Sequence, residues 1–393
     1  MKLIESIDKN GIPDSLIFSF TENQYYAIWG FDEILSIGID DIDVNVNRTI
    51  NLFQNKINDW KKNSSDVAAI GYFSYDAKKL FYPHIKFKFP NSSMPLIWFG
   101  KPRKIMKIHR DDIIKLKNNT RGFLKKSLNL KNISHYKNKI KTIKSYLKAG
   151  DVYQINYTQP IEYNLEEISP FDLFIKLFNA SKPKFGTYLN AGEFQILSMS
   201  PENFFTKIKN KISSSPIKGT SKRSDDPLED KKLKQKLINS EKDKAEHIMI
   251  VDLIRNDLGK ICNFGSIKTK NLFKVHSFKT IHHMITDISG KLKLDIQEKD
   301  IFQALFPGGS ITGAPKESSM KIIDEIENYS REIYTGSIGL ISSNNDMIFN
   351  IAIRTLRLIN SKAIYPVGGG IVWDSKPEDE RNEAIDKSAI LNL

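Results

Sequence analysis

The feature that most constrains this chain is how unevenly its helical and strand patterns interleave. Runs rich in β-branched and aromatic residues recur throughout, separated by Gly, Asn and Pro. SLIFSF, YYAIW, AAIGYFSYD, PLIWFG and KIMKI occupy the front of the chain. VYQINYTQPIEY, GTYLNA, FQILSMS, FFTKIKNKIS, HHMITDISGKLKL, GSIGLIS, MIFNIAIRTLRLI and AIYPVGGGIVW follow. Helical spacing is read at 134–149, 170–179, 227–239, 241–258, 298–305, 315–328 and 377–391. Helices fall between groups of strands, not after each one, so an α+β fold with antiparallel sheets is expected.

Local signals sharpen these boundaries. Gly150 reads as the C-cap of the 134–149 helix. Ser240 with Asp243, and Ser375 with Glu378, read as capping boxes. The Lys/Asn-rich run at 115–135 is the expected boundary between an N-terminal segment, 1–125, and the remainder, 126–393.

Composition narrows the function classes. The chain is 40% hydrophobic and 27% charged, as a globular protein is, and has no apolar window of about 18 residues to span a bilayer. The N-terminus, MKLIESIDKNGIPDSLIF, does not read as a signal peptide, and a cytoplasmic location is expected. The single cysteine, Cys262, cannot form an internal disulfide, and nothing near it in sequence would activate a thiolate. The net charge of +13 comes from lysines scattered among Asn and Ile, not from an arginine-rich recognition pattern. That argues against a nucleic-acid partner, though such a field would draw in a small anion.

Five stretches carry residues suited to chemistry. In LFPGGSITGAPKESSMKII, Gly308, Gly309 and Gly313 allow an exposed backbone and Pro315 is placed to open a helix, whose free N–H groups favour an anion; a plain loop is the alternative. In GGGIVWDSKPEDE, Gly368, Gly369 and Gly370 let a ligand approach main-chain donors. The helix AEHIMIVDLIRNDLGK is apolar on nearly all sides from Ile248 to Ile254 and is expected to be buried. Its Glu246, Asp252, Arg255, Asn256 and Asp257 then need partners; for Glu246 a metal and a structural ion pair weigh equally, and hard oxygen ligands favour Mg²⁺ over zinc. Arg354 interrupts the apolar strand NIAIRTL, to pair with a buried acid or to clamp a ligand carboxylate. Glu202 in SPENFF and Lys218 in PIKGT fall on neighbouring strands, where an acid beside an amine nucleophile makes a proton-transfer pair.

In order, GDVYQINYTQ, SPENFF, PIKGT, AEHIMIVDLIRNDLGK, HHM, FPGGSITGAPK, YTGSIG, NIAIRTL and GGGIVWDS resemble the chorismate-utilising enzymes from about residue 130 onward. GYFSYD at 71–76 resembles the family's front half. The resemblance implies a four-layer α/β/β/α core of two packed antiparallel sheets, to which the N-terminal segment adds strands. It also implies chorismate and Mg²⁺ as ligands. Isochorismate-forming members carry a lysine base where this chain has Gln154, and many members have alanine where it has Lys218. PIKGT is similar to the members that aminate chorismate at C4, on the way to 4-aminobenzoate and folate, through a lysine adduct at C2; anthranilate formation is the alternative. Attack requires an uncharged amine, which a partly apolar site and a nearby Mg²⁺ would favour.

By the same resemblance, Glu202 is the general acid/base, and Glu246 and Glu383 hold Mg²⁺, with Glu380 a rival to Glu383. Gly219, Thr220, Tyr334, Arg354 and Gly368 to Gly370 line the substrate, and His283 and Ser310 lie near the departing hydroxyl. Asn203 stands where members commonly have arginine, and no tryptophan-binding segment is matched. No glutaminase machinery is recognised, so ammonia is expected from solution or from a glutamine amidotransferase subunit.

Overall fold

The computed structural model describes residues 2–42, 45–88, 92–116, 122–128, 130, 132–277 and 281–392. Positions 117–121, 129 and 131 of the expected boundary run lie outside them. The front strands are β1 (Ser15–Phe18), β2 (Gln24–Ile37), β3 (Val67–Phe73), β4 (Ile97–His109) and β5 (Phe123–Leu128). Helices α1 (Lys2–Asn10), α2 (Val46–Lys62), α3 (Lys78–Phe81) and α4 (Arg110–Ile114) lie among them. Next come α5 (Ile133–Ala149), β6 (Gln154–Glu166), α6 (Pro170–Ser181), β7 (Phe185–Asn190), β8 (Gln195–Ser200), β9 (Asn203–Ile208), β10 (Lys211–Ser215) and β11 (Ile217–Lys222). Helices α7 (Pro227–Ile238) and α8 (Glu241–Ile261) lead to β12 (Lys268–Ser277), β13 (Ile281–Lys291), α9 (Glu298–Leu305), β14 (Gly313–Ala314) and α10 (Lys316–Ile326). The last elements are β15 (Ser337–Ser342), β16 (Met347–Asn350), β17 (Thr355–Ile359), β18 (Lys362–Ile371) and α11 (Pro377–Ser388).

All pairings among the described strands are antiparallel, and they form one unbroken ladder. Its order is β5–β6–β18–β17–β8–β7–β1–β2–β4–β3–β15–β16–β9–β10–β13. β10 and β11, broken at Pro216, lie end to end along β13, and β12 pairs with β13 as well. The long strands β2 and β4 turn the corner: β2 pairs with β1 near its start, β4 pairs with β3 near its own, and a bulge at Phe31/Glu33 separates the two regions.

Folded at that corner, the ladder makes two facing halves. One apolar cluster joins Ile70, Tyr72, Ile338, Leu340 and Ile348 of one half to Leu16, Ile196, Leu356 and Leu358 of the other. The alternate residues Phe73, Phe205, Ile341 and Phe349 instead meet Phe53 of α2, Leu258 of α8 and Phe302 of α9. On the other half, α5 and α10 pack on Ile155 and Tyr157 of β6. Phe171 and Phe174 of α6 meet Tyr188 at ring distances of 5.3 and 5.6 Å. The result is the expected α+β arrangement of helix, sheet, sheet and helix layers.

Several local expectations are corrected. The front segment is not all strand: α2 buries Ile50, Phe53, Ile57 and Trp60 on one face. PLIWFG and KIMKI are one strand, β4, whereas FFTKIKNKIS is the hairpin β9–β10 turning at Lys209 with φ 53°. α8 is buried on one side only: Ile250, Val251, Leu258 and Ile261 face the core, while Ile248 is 44% exposed and Asp252 pairs with Arg255 at the surface. Ser240 caps α8 by accepting from the Asp243 N–H. Ser375 caps nothing; its hydroxyl donates to Glu380 at 2.6 Å. MIFNIAIRTLRLI breaks between β16 and β17, and Arg354 sits in the break with φ 52°, not within a strand.

Candidate active site

Glu202 ends the connection from β8 into β9, and the pairing of Ser215 with Asn203 brings Pro216–Lys218 beside it. Glu202 is 7% exposed, and its Oε1 accepts a 2.8 Å hydrogen bond from the Ser310 hydroxyl. Burial raises its carboxyl above the usual range, opposed by that hydrogen bond and by Lys218 and Lys387. Ser310 lies in the 3₁₀ turn Gly309–Ile311, so the PGGS loop delivers a hydroxyl and not only backbone N–H groups.

The strand carrying Lys218 is interrupted at the next residue. Pairing of β11 with β13 slips between Lys218↔Met284 and Thr220↔His283, leaving Gly219 as a bulge with φ +71°. A side chain there would be strained, and its Cβ would stand 3.0 Å from Leu237 of α7. The Thr220 hydroxyl and His283 Nδ1 share a 2.9 Å hydrogen bond. Burial, helped by Arg354, lowers the His283 imidazole to about 4, so it is neutral near pH 7. His247, absent from the sequence-based candidates, behaves alike. It is fully buried beside Glu246, shares a 2.6 Å hydrogen bond with Thr286, and is lowered to about 4 by burial and by Lys218.

Across the cleft, β18 runs Gly368↔Thr158, Gly369↔Tyr157 and Gly370↔Asn156 against β6. Lys387 of α11 donates 2.8 Å hydrogen bonds both to the Gly368 carbonyl and to Glu383 Oε1. Glu383 and Lys387 thus form an i,i+4 pair, and Lys387 also fastens Glu383 to the glycine strand. Gln154 is fully buried under Gly370, and neither end of its carboxamide has a hydrogen-bond partner among the described residues. An orphaned carboxamide inside a cleft is a vacant contact for a polar ligand.

Three carboxylates on two helices influence one another pairwise here. Glu246 is raised by burial, with Asp243 and Glu380 adding to the effect; Glu380 is raised by burial and by Glu383. Glu383 is held low: its partial burial opposes this, but Lys387, joined by Lys218 and Lys242, outweighs it. Among the described residues no group of three or more His, Cys, Asp or Glu is arranged to hold a metal ion. The donor set nevertheless suits Mg²⁺, which takes one or two protein carboxylates and fills its shell with water and substrate oxygens. Glu380 already accepts from Ser375, whereas the Glu383 side chain is 59% exposed, so both remain candidates beside Glu246.

Tyr334 is 6% exposed, and Arg354 lies close enough to His283 to lower its imidazole. Arg331 was not foreseen. Fully buried, it grips Glu327 through two hydrogen bonds of 2.8 and 2.7 Å and donates to the carbonyls of Ile311 and Asn156. It thereby ties the PGGS turn to β6. Lys316, also buried, ties α10 to Asp257 of α8 at 2.6 Å. A larger cavity of about 250 Å³ lies elsewhere, lined by Asp76, Lys78, Lys88, Asp324, Glu327 and Arg331, and holds none of the candidate site residues.

A family model described as chorismate binding enzyme matches residues 15–392. The chain belongs to that family. Among relatives of this chain, aminodeoxychorismate synthase component 1 of Escherichia coli K12 is 43% identical over 254 residues, 64% of this chain and 55% of that protein. Anthranilate synthase component 1 of Acetivibrio thermocellus is 31% identical over 337 residues, covering 81% and 68%. The chain spans about half the length of the aminodeoxychorismate relatives it matches. The crystal structure of anthranilate synthase component I from Streptococcus pneumoniae TIGR4 superposes with a TM-score of 0.81 at 22% identity, covering 95% of this chain and 93% of that one, which establishes the shared fold.

Proposed function

We propose that this chorismate-binding enzyme aminates C4 of chorismate to give 4-amino-4-deoxychorismate, with Lys218 as nucleophile and Glu202 as proton carrier. The observation that carries the reading is that Lys218 lies near enough to the buried acid Glu202, and to Glu246 and Glu383, to act on all three carboxylates. The uncharged Lys218 amine attacks C2. The C1=C2 and C5=C6 double bonds shift to C1=C6 and C4=C5, and the C4 hydroxyl leaves as water with the Glu202 proton. Ammonia then attacks C4, the double bonds shift back, and the C2–N bond breaks with its electron pair returning to Lys218. The Glu202 carboxylate takes the surplus proton from the new C4 ammonium, so chorismate and ammonia become product and water. A raised Glu202 suits both roles, because it holds a proton more readily than an exposed acid.

Mg²⁺ on Glu246 and Glu383 or Glu380 would anchor the ring carboxylate and offset the negative field at Lys218. Arg354 would clamp a substrate carboxylate, while Gly219, Thr220 and Tyr334 complete the walls and His283 and Ser310 attend the departing hydroxyl. Gln154, lacking a basic nitrogen, does not activate water as a lysine there would. Ammonia would come from solution or from a glutamine amidotransferase subunit. Mass spectrometry of products from chorismate, Mg²⁺ and ammonium decides the reading: aminodeoxychorismate supports it. Anthranilate with released pyruvate would install the second reading, which the Acetivibrio relative favours by covering more of the chain.

A further inference from the structure

The cavity of about 250 Å³ between α3 and the end of α10 is a separate place in the molecule. Its size is close to the lower end of ligand pockets, about 300–1,000 Å³, and far above the about 10–15 Å³ that one water needs. Lys88 and Asn328, both exposed, are among its lining residues, so it opens to solvent.

Most of its polar lining is already matched. Arg331 and Glu327 grip each other. Asp324 Oδ2 accepts from the Lys88 N–H at 2.7 Å, and Asp76 Oδ2 accepts from the Ser330 hydroxyl and the Glu332 N–H. Lys78 is the exception. It is 3% exposed, yet its ammonium donates no hydrogen bond among the described residues. The Oδ1 atoms of Asp76 and Asp324 stand 3.8 and 3.9 Å from its Nζ, beyond hydrogen-bond reach, and neither takes a donor from elsewhere among those residues. The rings of Tyr75 and Phe87 lie 4.1 and 4.8 Å from Nζ and ease its charge without supplying an oxygen. Burial lowers the Lys78 amine against the pull of both aspartates.

The open groups therefore alternate in sign: carboxylate, ammonium, carboxylate. An anion would meet the aspartates, and a metal cation would meet Lys78. A zwitterion finds no separated poles. A hydroxyl suits, because it accepts from the ammonium and donates to a carboxylate. The charged lining also cancels, with Lys78, Lys88 and Arg331 against Asp76, Asp324 and Glu327, so a net charge on the ligand gains nothing.

We infer that this cavity is a second binding site, for a small neutral polyol of sugar size whose hydroxyls bridge Lys78 to Asp76 and Asp324. Neighbouring hydroxyls on one ring match the two gaps that flank the ammonium. The site does not depend on how chorismate is turned over.

Saturation-transfer NMR on the full chain tests this with D-ribose, D-glucose and myo-inositol, and with glycine and acetate as the charged comparators. At least one polyol should show transfer, and glycine and acetate should show none. Lys78→Met and Asp324→Asn should each weaken the Kd of that polyol about tenfold or more, as loss of a charged hydrogen-bonding partner implies. Asp324→Asn keeps the side-chain volume and serves if Lys78→Met does not fold. No transfer from any of the three polyols, undiminished transfer in either folded variant, or transfer from glycine or acetate as strong as from the polyols, overturns the inference and leaves a cavity that holds water only.

Discussion

Two buried histidines should make this protein acid-labile in a calculable way. His247 and His283 are lowered from an ordinary value near 6.5 to about 4, mainly by burial. The unfolded chain therefore binds protons at higher pH than the folded one, and between about pH 6.5 and 4 stability falls as pH falls. One pKa unit corresponds to about 1.4 kcal/mol, so moving from about pH 7.5 to pH 5 costs about 2 kcal/mol per histidine. Glu202, Glu246 and Glu380, whose values are raised, act in the opposite sense, gaining folded-state protons as pH falls. A comparison with His247→Gln largely cancels their share. Urea unfolding of both proteins at the two pH values should show the variant losing about 2 kcal/mol less than the wild type on acidification. Equal losses would mean that His247 is not held neutral by burial, and the reasoning would fail.

Lys218→Ala should still bind chorismate, seen by calorimetry, yet form no C4-aminated product; undiminished turnover would exclude the adduct route. Turnover should stop on EDTA treatment and return with Mg²⁺, and a rate indifferent to chelation would remove the metal from Glu246. Arg354→Gly should raise the chorismate KM about tenfold or more, as loss of a charged hydrogen-bonding group worth about 1.5–3 kcal/mol implies. The same change should not lower the thermal midpoint. Relief of about 1–2 kcal/mol of left-handed strain meets about 0.5–1 kcal/mol of added unfolded-state freedom. A clear drop in the midpoint would show that the Arg354 conformation is not strained.

Much of the fold was legible because alternating strands and capped helices carry local signals. The helices at 298–305 and 227–239 appear within a residue of their expected ends. Helix α2 was legible too, since Ile50, Phe53, Ile57 and Trp60 recur at three- and four-residue steps, but its asparagines and lysines obscured the pattern. The break at Arg354 left no trace, because arginine has no turn signature and its positive φ is imposed by tertiary structure. The candidate site was legible as a set of residues and not as contacts. Nothing local says that Ser310 meets Glu202, that Lys387 bridges Glu383 to Gly368, or that His247 is buried next to Glu246. Such contacts are created by the ladder, which carries residues far apart in sequence to one cleft.

That ladder is an open ribbon with two free ends. Gly368–Gly370 and Gln154 belong to strands near one end, and Lys218 and His283 to strands at the other. A molecule seated between them would act as a clasp, closing the ribbon into a ring. Tension or loosening anywhere around the circuit, even at the distant corner of β2 and β4, would then be felt as a change in the gap that such a molecule spans.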